Sequence, residues 1–273
     1  MTAPARRRVA RLLAPCLLCL AIDAPARDWY SAGHGRVETR VLVLQEDEQR
    51  VRELLPAPLA LNAEFAGKQP GRHPLVLLFS DVMPRKAHLM PILIDIPYRE
   101  FALFIPEVTH PDLQGVFIHS AILYLDSRPA VWIGQWPYRF PKHLARIERN
   151  EGTGIGAWAI HDDERREPVL RFDYTLAGSD DGPAAQAALQ QLDAWFALPL
   201  INRRNGKFAC ARMDWEISTA EPPTPLQGRL QWRQDWLGDA RRLPAPAGES
   251  GGWRLQTLWY LSMPSRCGRY SRR

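Results

Sequence analysis

A chain of 273 residues with 46% apolar and 24% charged residues has the composition of a globular protein, which excludes the disordered, collagenous and multi-pass membrane classes. The net charge of +5 sits at the ends: Arg6, Arg7, Arg8 and Arg11 against Asp23 make the first 26 residues +3, and the last eight residues carry +4. Subtracting both from the total leaves the body at −2. A nucleic-acid binder carries its positive charge on the folded surface, so no nucleic-acid partner is expected. The length fits one large β-rich domain.

Arg6-Arg7-Arg8, the uncharged run Leu12 to Ile22 and Ala24-Pro25-Ala26 have the layout of a secretory signal peptide. The other reading of residues 1–26 is a start assigned too early. A cleaved leader places the protein in the periplasm or outside the cell; an early start places it in the cytoplasm. The apolar run is too short to span a bilayer, so no membrane span is expected. Cys16 and Cys19 lie in this stretch, which leaves Cys210 and Cys267 in the body. Two such residues are compatible with one disulfide or with two thiols.

The body reads mainly as strands. Val37 to Leu44 alternates, with Val37, Val41 and Val43 on one face. Glu46 to Leu55 reads as a short helix that ends at Pro56. Leu75 to Val82, Ile92 to Ile96, Tyr98 to Ile105, Val116 to Leu125 and Pro129 to Gly134 read as strands. Phe140 to Ile147 reads as a short helix opened by Pro141. Ile155 to Ile160 and Val169 to Leu176 form a hairpin around a charged turn. Pro183 to Phe196 is the strongest helix. Phe208 to Ser218, Leu226 to Trp232 and Trp253 to Ser262 complete the strands, with a Pro/Gly-rich loop at 244–252. The fold class is α+β and β-rich: an antiparallel, closed or nearly closed barrel with peripheral helices.

Two motif matches fail on context. Gly248-Glu-Ser250-Gly-Gly252 fits a nucleophile-elbow pattern, but that chemistry needs a strand-to-helix turn and the segment reads as a loop. Gly152-Thr-Gly154-Ile-Gly156 lacks the lysine of a phosphate loop and the spacing of a dinucleotide fingerprint. The seven histidines show no metal-ligand spacing, so no metal is expected. The ten tryptophans fall mostly in strands and read as core and barrel lining.

The chemistry-bearing stretch is Tyr98-Arg-Glu100, then Tyr124-Leu-Asp126-Ser-Arg-Pro129-Ala-Val-Trp-Ile-Gly134, then Phe140-Pro141-Lys142-His143. This ordered set resembles the acetoacetate decarboxylase family. There a Tyr-x-Glu strand leads to a Tyr-Leu-Asp strand end and a Pro-Ala-hydrophobic-Gly segment. An aromatic-Pro-Lys-Lys segment follows, with the lysine eight residues after the Gly. Glu53-Leu-Leu-Pro56-Ala-Pro58-Leu59 and Leu200 to Thr219 extend the likeness outward, which implies a domain over 36–264 followed by a basic tail at 265–273.

The resemblance implies that Lys142 attacks a keto acid to form an imine, so that carbon dioxide leaves into a protonated-imine electron sink. It implies no cofactor, a small-molecule keto-acid partner and a homo-oligomer. A lysine activated by desolvation or by a neighbouring cation is known in acetoacetate decarboxylase itself. The chemical need is general: an ordinary lysine, with a pKa of about 10.4, is almost wholly protonated near neutrality and has no lone pair to attack with. Burial among apolar walls disfavours the ammonium, and Phe140, Leu144, Ile133 and Trp132 are candidate walls. Glu100 matches the family carboxylate beside the site, with Tyr98 next to it.

Several positions depart from the family. His143 stands where the family has a second lysine. Gln135 interrupts the family's Gly-Arg-Glu. Arg36 and Arg40 flank the slot of a substrate-side arginine, which falls on Val37, and Asp81 is the nearest acid to a further family glutamate. The related reactions left open are an imine-forming aldolase or dehydratase, and a binding barrel without turnover.

Overall fold

Strand β1 (Ser31–Asp47) shows how the sequence builds the core. Its alternation sends Val41 to one side and Leu42 to the other, and both are fully buried. A strand buried on both faces needs a layer on each side, and the structure supplies two. The computed structural model describes residues 31–87, 96–136, 138–162, 167–178, 182–217, 221–233, 249–262 and 264–270. The signal-like stretch over residues 1–26, most of the Ile92–Ile96 strand candidate and most of the Pro/Gly-rich loop lie outside the described residues.

On one side of β1 lies β3 (Arg72–Ala87), then β4 (Tyr98–Thr109) and β5 (Phe117–Leu125). On the other lies β13 (Glu249–Ser262), followed by β12 (Thr224–Trp232), β8 (Leu170–Leu176), β7 (Ile155–Asp162) and β6 (Lys142–Glu151). β6 pairs with β5, so the path returns to its start and nine strands run round a ring. β2 (Ala60–Leu61) adds to β4, while β9 (Leu200–Arg204) and β10 (Lys207–Ala211) extend from β5. β11 (Met213–Ile217) pairs with Thr257–Leu261 of β13, on the edge that β12 uses over Glu249–Arg254.

Leu42, Phe79, Phe101, Trp158 and Phe172 fill the ring. The alternate residues Val41, Leu78, Ala102, Phe104 and Leu123 face outward and pack under α3 (Pro183–Phe196) through Leu192, Trp195 and Phe196. α1 (Glu48–Leu54) starts where the Asp47 carboxylate accepts from the backbone N–H groups of Gln49 and Arg50.

The sheet is mixed rather than wholly antiparallel: β5 runs parallel to β6 and to β9. A parallel pair needs a crossover, and α2 (Arg128–Gln135) provides it between β5 and β6. This corrects two expectations. Pro129 to Gly134 is helical, because Ser127 caps the Ala130 N–H and Pro129 sits in the first turn, where its missing donor does no harm. Phe140 to Ile147 is not a helix: its inward alternation of Ala145 and Ile147 belongs to β6. The expected strand Phe208 to Ser218 divides into β10 and β11 at Arg212. Residues 249–252, expected as loop, begin β13, so Ser250 sits in a strand opposite Gly228 and not on an elbow.

Cys210 and Cys267 form a disulfide across 57 residues. It ties the C-terminal turn at Cys267–Tyr270 to β10 and closes a loop containing β11, β12 and β13. Cys210→Ser is expected to lower stability by about 2–4 kcal/mol, most of it by freeing the unfolded chain. The shift of the urea midpoint under non-reducing conditions measures this. Among the described residues, no helix is long and apolar enough to cross a membrane.

Candidate active site

Lys142 is the first residue of β6 and stands opposite Leu123 of β5. The turn before it is fixed by its backbone. Arg139 adopts a left-handed φ of 56°, which folds the chain back so that the Phe140 N–H donates to Gly134 O. Pro141 O then accepts from the Leu123 N–H, and the Gln135 side-chain amide donates to Lys142 O. These bonds place the Lys142 side chain against α2 with 8% of the residue exposed.

Gly134 makes that placement possible. A Cβ on Gly134 would overlap Cδ and Cε of Lys142 and lie 3.1 Å from Nζ. Gly134→Ala is expected to push the amine out of position and lower turnover by about 100-fold, the scale of a 1 Å misplacement. Alanine raises helix propensity at this position, by about 1 kcal/mol. Thermal unfolding beside kcat therefore separates misplacement from unfolding.

The amine meets Glu100 Oε2 at 3.4 Å. It lies 5.3 Å from the ring centroid of Phe140 and 5.9 Å from that of Tyr98. Tyr98 and Glu100 are two apart on β4 and so share the outward face. Burial, reinforced by Glu100 and then Asp126, raises the Tyr98 phenol well above its usual pKa of 10.0, so it keeps its proton. Glu100 stands opposite Ser80 of β3, whose hydroxyl donates to Thr39 Oγ1 at 2.9 Å.

Lys142, Glu100, Tyr98 and Ser80 line a partly open cavity of about 80 Å³. Its apolar walls include Val37, Phe104, Leu123, Phe140, Met213 and Leu261, and Trp215 and Trp259 close one side. A larger concavity of about 560 Å³ lies over Gly152, Gly156, Tyr174 and Gly228. That surface is more open and presents no nucleophilic amine, so the smaller cavity is the candidate site.

The structure sorts the residues singled out in the sequence. Lys142, Glu100 and Tyr98 meet in the cavity. Gln135 holds the lysine's backbone rather than facing the cavity. His143 alternates to the other face of β6, where its ring lies 5.6 Å from that of Tyr124. Partial desolvation lowers its pKa from 6.5, with Asp162 opposing and Arg204 adding to the shift. Arg36 is exposed and does not line the cavity.

Arg40 and Asp81 lie inside the ring, on the opposite face of the sheet from Lys142. Arg40 is fully buried; it donates to the Tyr174 hydroxyl at 3.0 Å and pairs with Asp81 at 3.1 Å, with Glu38 at 2.6 Å and with Glu151. Arg149 joins the same carboxylates, 2.7 Å from Asp81. Of the walls expected for the amine, Phe140 is present, but Trp132 is 51% exposed and Ile133 and Leu144 are not part of the lining. Among the described residues, no group of three or more His, Cys, Asp and Glu is placed to hold a metal ion.

Sequence reasoning missed Gly134 as a positioning residue and Met213, Trp215 and Trp259 as walls. The alternation Met213-Asp-Trp215-Glu-Ile217 marked a strand with one apolar face, but nothing in it named β13 as partner or Lys142 as neighbour.

No family model matches the chain, and no curated protein matches it by sequence. Solved structures do. The enduracididine biosynthesis enzyme MppR complexed with pyruvate superposes with a TM-score of 0.60 at 17% identity, over 88% of this chain and 91% of that one. Acetoacetate decarboxylase from Legionella pneumophila superposes with a TM-score of 0.56 at 12% identity, over 93% and 98%. An acetoacetate decarboxylase-like enzyme from Sphingomonas wittichii gives 0.54 at 13%, over 86% and 92%. The chain has the acetoacetate decarboxylase fold. At these identities the likeness concerns the fold alone. The mixed strand ring with peripheral helices is therefore the acetoacetate decarboxylase architecture, and what the Lys142 cavity does rests on the cavity itself.

Proposed function

We propose that this protein is an imine-forming lyase that decarboxylates a small β-keto acid, with Lys142 as the nucleophile. The observation that carries the reading is one amine beside one carboxylate in a small, mainly apolar cavity. A proton passing from Nζ to Glu100 leaves a neutral amine beside a neutral acid, so neither group carries a charge.

The neutral amine adds to the ketone carbon. Loss of water, with a proton supplied from Glu100, gives a protonated imine. The bond to the carboxylate carbon breaks, its electron pair enters the new C=C bond, and the iminium nitrogen becomes a neutral enamine nitrogen. Carbon dioxide leaves. Protonation at carbon and hydrolysis release the ketone and restore the amine. The iminium is the electron sink, so the reaction balances without a cofactor. The Tyr98 phenol, which keeps its proton, donates to the substrate or to Glu100. The complex of MppR with a condensation product of pyruvate and imidazole 4-carboxaldehyde involves carbonyl compounds on the same fold.

An imine-forming aldolase or dehydratase shares the steps up to the iminium. Carbon dioxide release from acetoacetate and its short-chain homologues separates them. Stoichiometric carbon dioxide and ketone are expected; aldol cleavage or dehydration without carbon dioxide would overturn the decarboxylase reading.

A further inference from the structure

Four of the walls around Lys142 come from one seam in the sheet. β10 is bonded to β9, and β13 is bonded to β1. β11 continues the chain from β10 and, among the described residues, is bonded to β13 alone. The ladder across this seam leads to the cavity. Cys210 and Ser265 exchange both backbone bonds, at 3.0 and 2.8 Å. The Arg212 N–H donates to Ser262 Oγ at 2.8 Å, and the Ser262 N–H donates to Arg212 O at 2.9 Å. Next come the pairs Met213 with Leu261 and Trp215 with Trp259, and all four residues line the cavity. The disulfide between Cys210 and Cys267 closes the far end of the ladder, three residues before Met213.

The seam is where a wall can yield. Val37, Phe104 and Leu123 sit on ring strands bonded along both edges. On β11, which is bonded along one edge, Trp215 is stacked on Phe196 of α3 at 4.4 Å, whereas the unbranched Met213 side chain adapts to its surroundings. Backbone bonds contribute little net stability, because water replaces them when they open, and a short strand held on one edge opens before the rest of the fold. A covalent link across the end of the ladder keeps the two backbones together when those bonds break. The cavity is small, about 80 Å³, so a longer chain enters only where a wall moves.

We infer that the Met213–Leu261 pair sets the longest ketone chain that Lys142 accepts, and that the disulfide holds this wall shut. The inference rests on the imine reading and adds its substrate class, methyl ketones and keto acids with short chains. The test uses borohydride capture on Lys142 of the full-length protein. Acetone is the short probe and methyl butyl ketone the long one, each titrated for half-saturation in sulfate buffer, which favours the compact state. The ratio of the two values is the readout: a loss of folded protein lowers capture of both ketones alike and leaves the ratio where it was. Met213→Ala removes the wall with the disulfide in place. Cys210→Ala combined with Cys267→Ala removes the disulfide with the wall residues in place. In each, half-saturation for methyl butyl ketone is expected to fall about tenfold relative to that for acetone, the low end of what a pocket discriminates per methylene. An unchanged ratio in either variant would overturn the inference. So would a disulfide variant that does not fold, because the seam alone is expected to open. Failure of the wild-type protein to capture acetone would remove the imine reading itself, and this inference with it.

Discussion

Lys142→Ala is expected to lower decarboxylation by about 10⁴-fold or more, the scale seen when a covalent nucleophile is removed. The fold is expected to survive, because Lys142 is the terminal residue of β6, and neither the Gln135 amide bond to its carbonyl nor the Leu123 N–H bond to Pro141 O involves the lysine side chain. Lys142→Arg sharpens the result. Arginine keeps the positive charge beside Glu100 but has no neutral form near neutrality, so it cannot attack. A variant with the ion pair intact and no turnover identifies the free amine, rather than the charge, as the active feature. Activity in either variant above the uncatalysed rate would contradict the proposed mechanism.

Arg40→Leu is expected to lower stability without touching the Lys142 cavity. The guanidinium is fully buried and bonded to Tyr174, Glu38, Asp81 and Glu151. Removing one partner of a buried ionic group leaves the others uncompensated, at a cost of about 3–5 kcal/mol. The lower end applies here, because the side chains of Glu38 and Glu151 are 28% and 25% exposed and Arg149 still neutralises part of the cluster. The loss of about 3 kcal/mol is read from the urea midpoint. Below its lowered midpoint, the variant is expected to capture ketones on Lys142 as the wild type does, because Arg40 faces the interior of the ring. A loss of capture with stability unchanged would return Arg40 to the substrate.

Much of this arrangement was legible in the sequence, and the failures have physical causes. Lys142 and Glu100 are 42 residues apart, and only an ordered set of motifs brought them together on paper; the structure pairs them at 3.4 Å. The helix over Pro183–Phe196 was read at its observed ends, because Pro183 and the apolar period of Leu192, Trp195 and Phe196 agree. Between Ser127 and Ile147 the local sequence signals exchange helix and strand. Pro141 in a short apolar stretch imitates a helix start, while the true start is Ser127 with Pro129 in the first turn.

The misplaced substrate residues have a simpler cause. Val37 and Val41 were already assigned to one face of β1, and Arg40 between them therefore had to point to the other. Which face would hold the amine depended on β6 pairing with β5, and that pairing has no local signature. Trp215 and Trp259 were beyond reach for the same reason: their meeting depends on the register of β11 against β13.

The reactivity assigned to this protein comes down to whether the Lys142 nitrogen forms a covalent bond with a carbonyl carbon. Borohydride reduction in the presence of acetoacetate, followed by peptide mass mapping, tests this directly. A stable isopropyl adduct confined to the peptide bearing Lys142, and absent after omission of the keto acid, is the predicted result. An unmodified Lys142 peptide from protein that releases carbon dioxide would contradict the account.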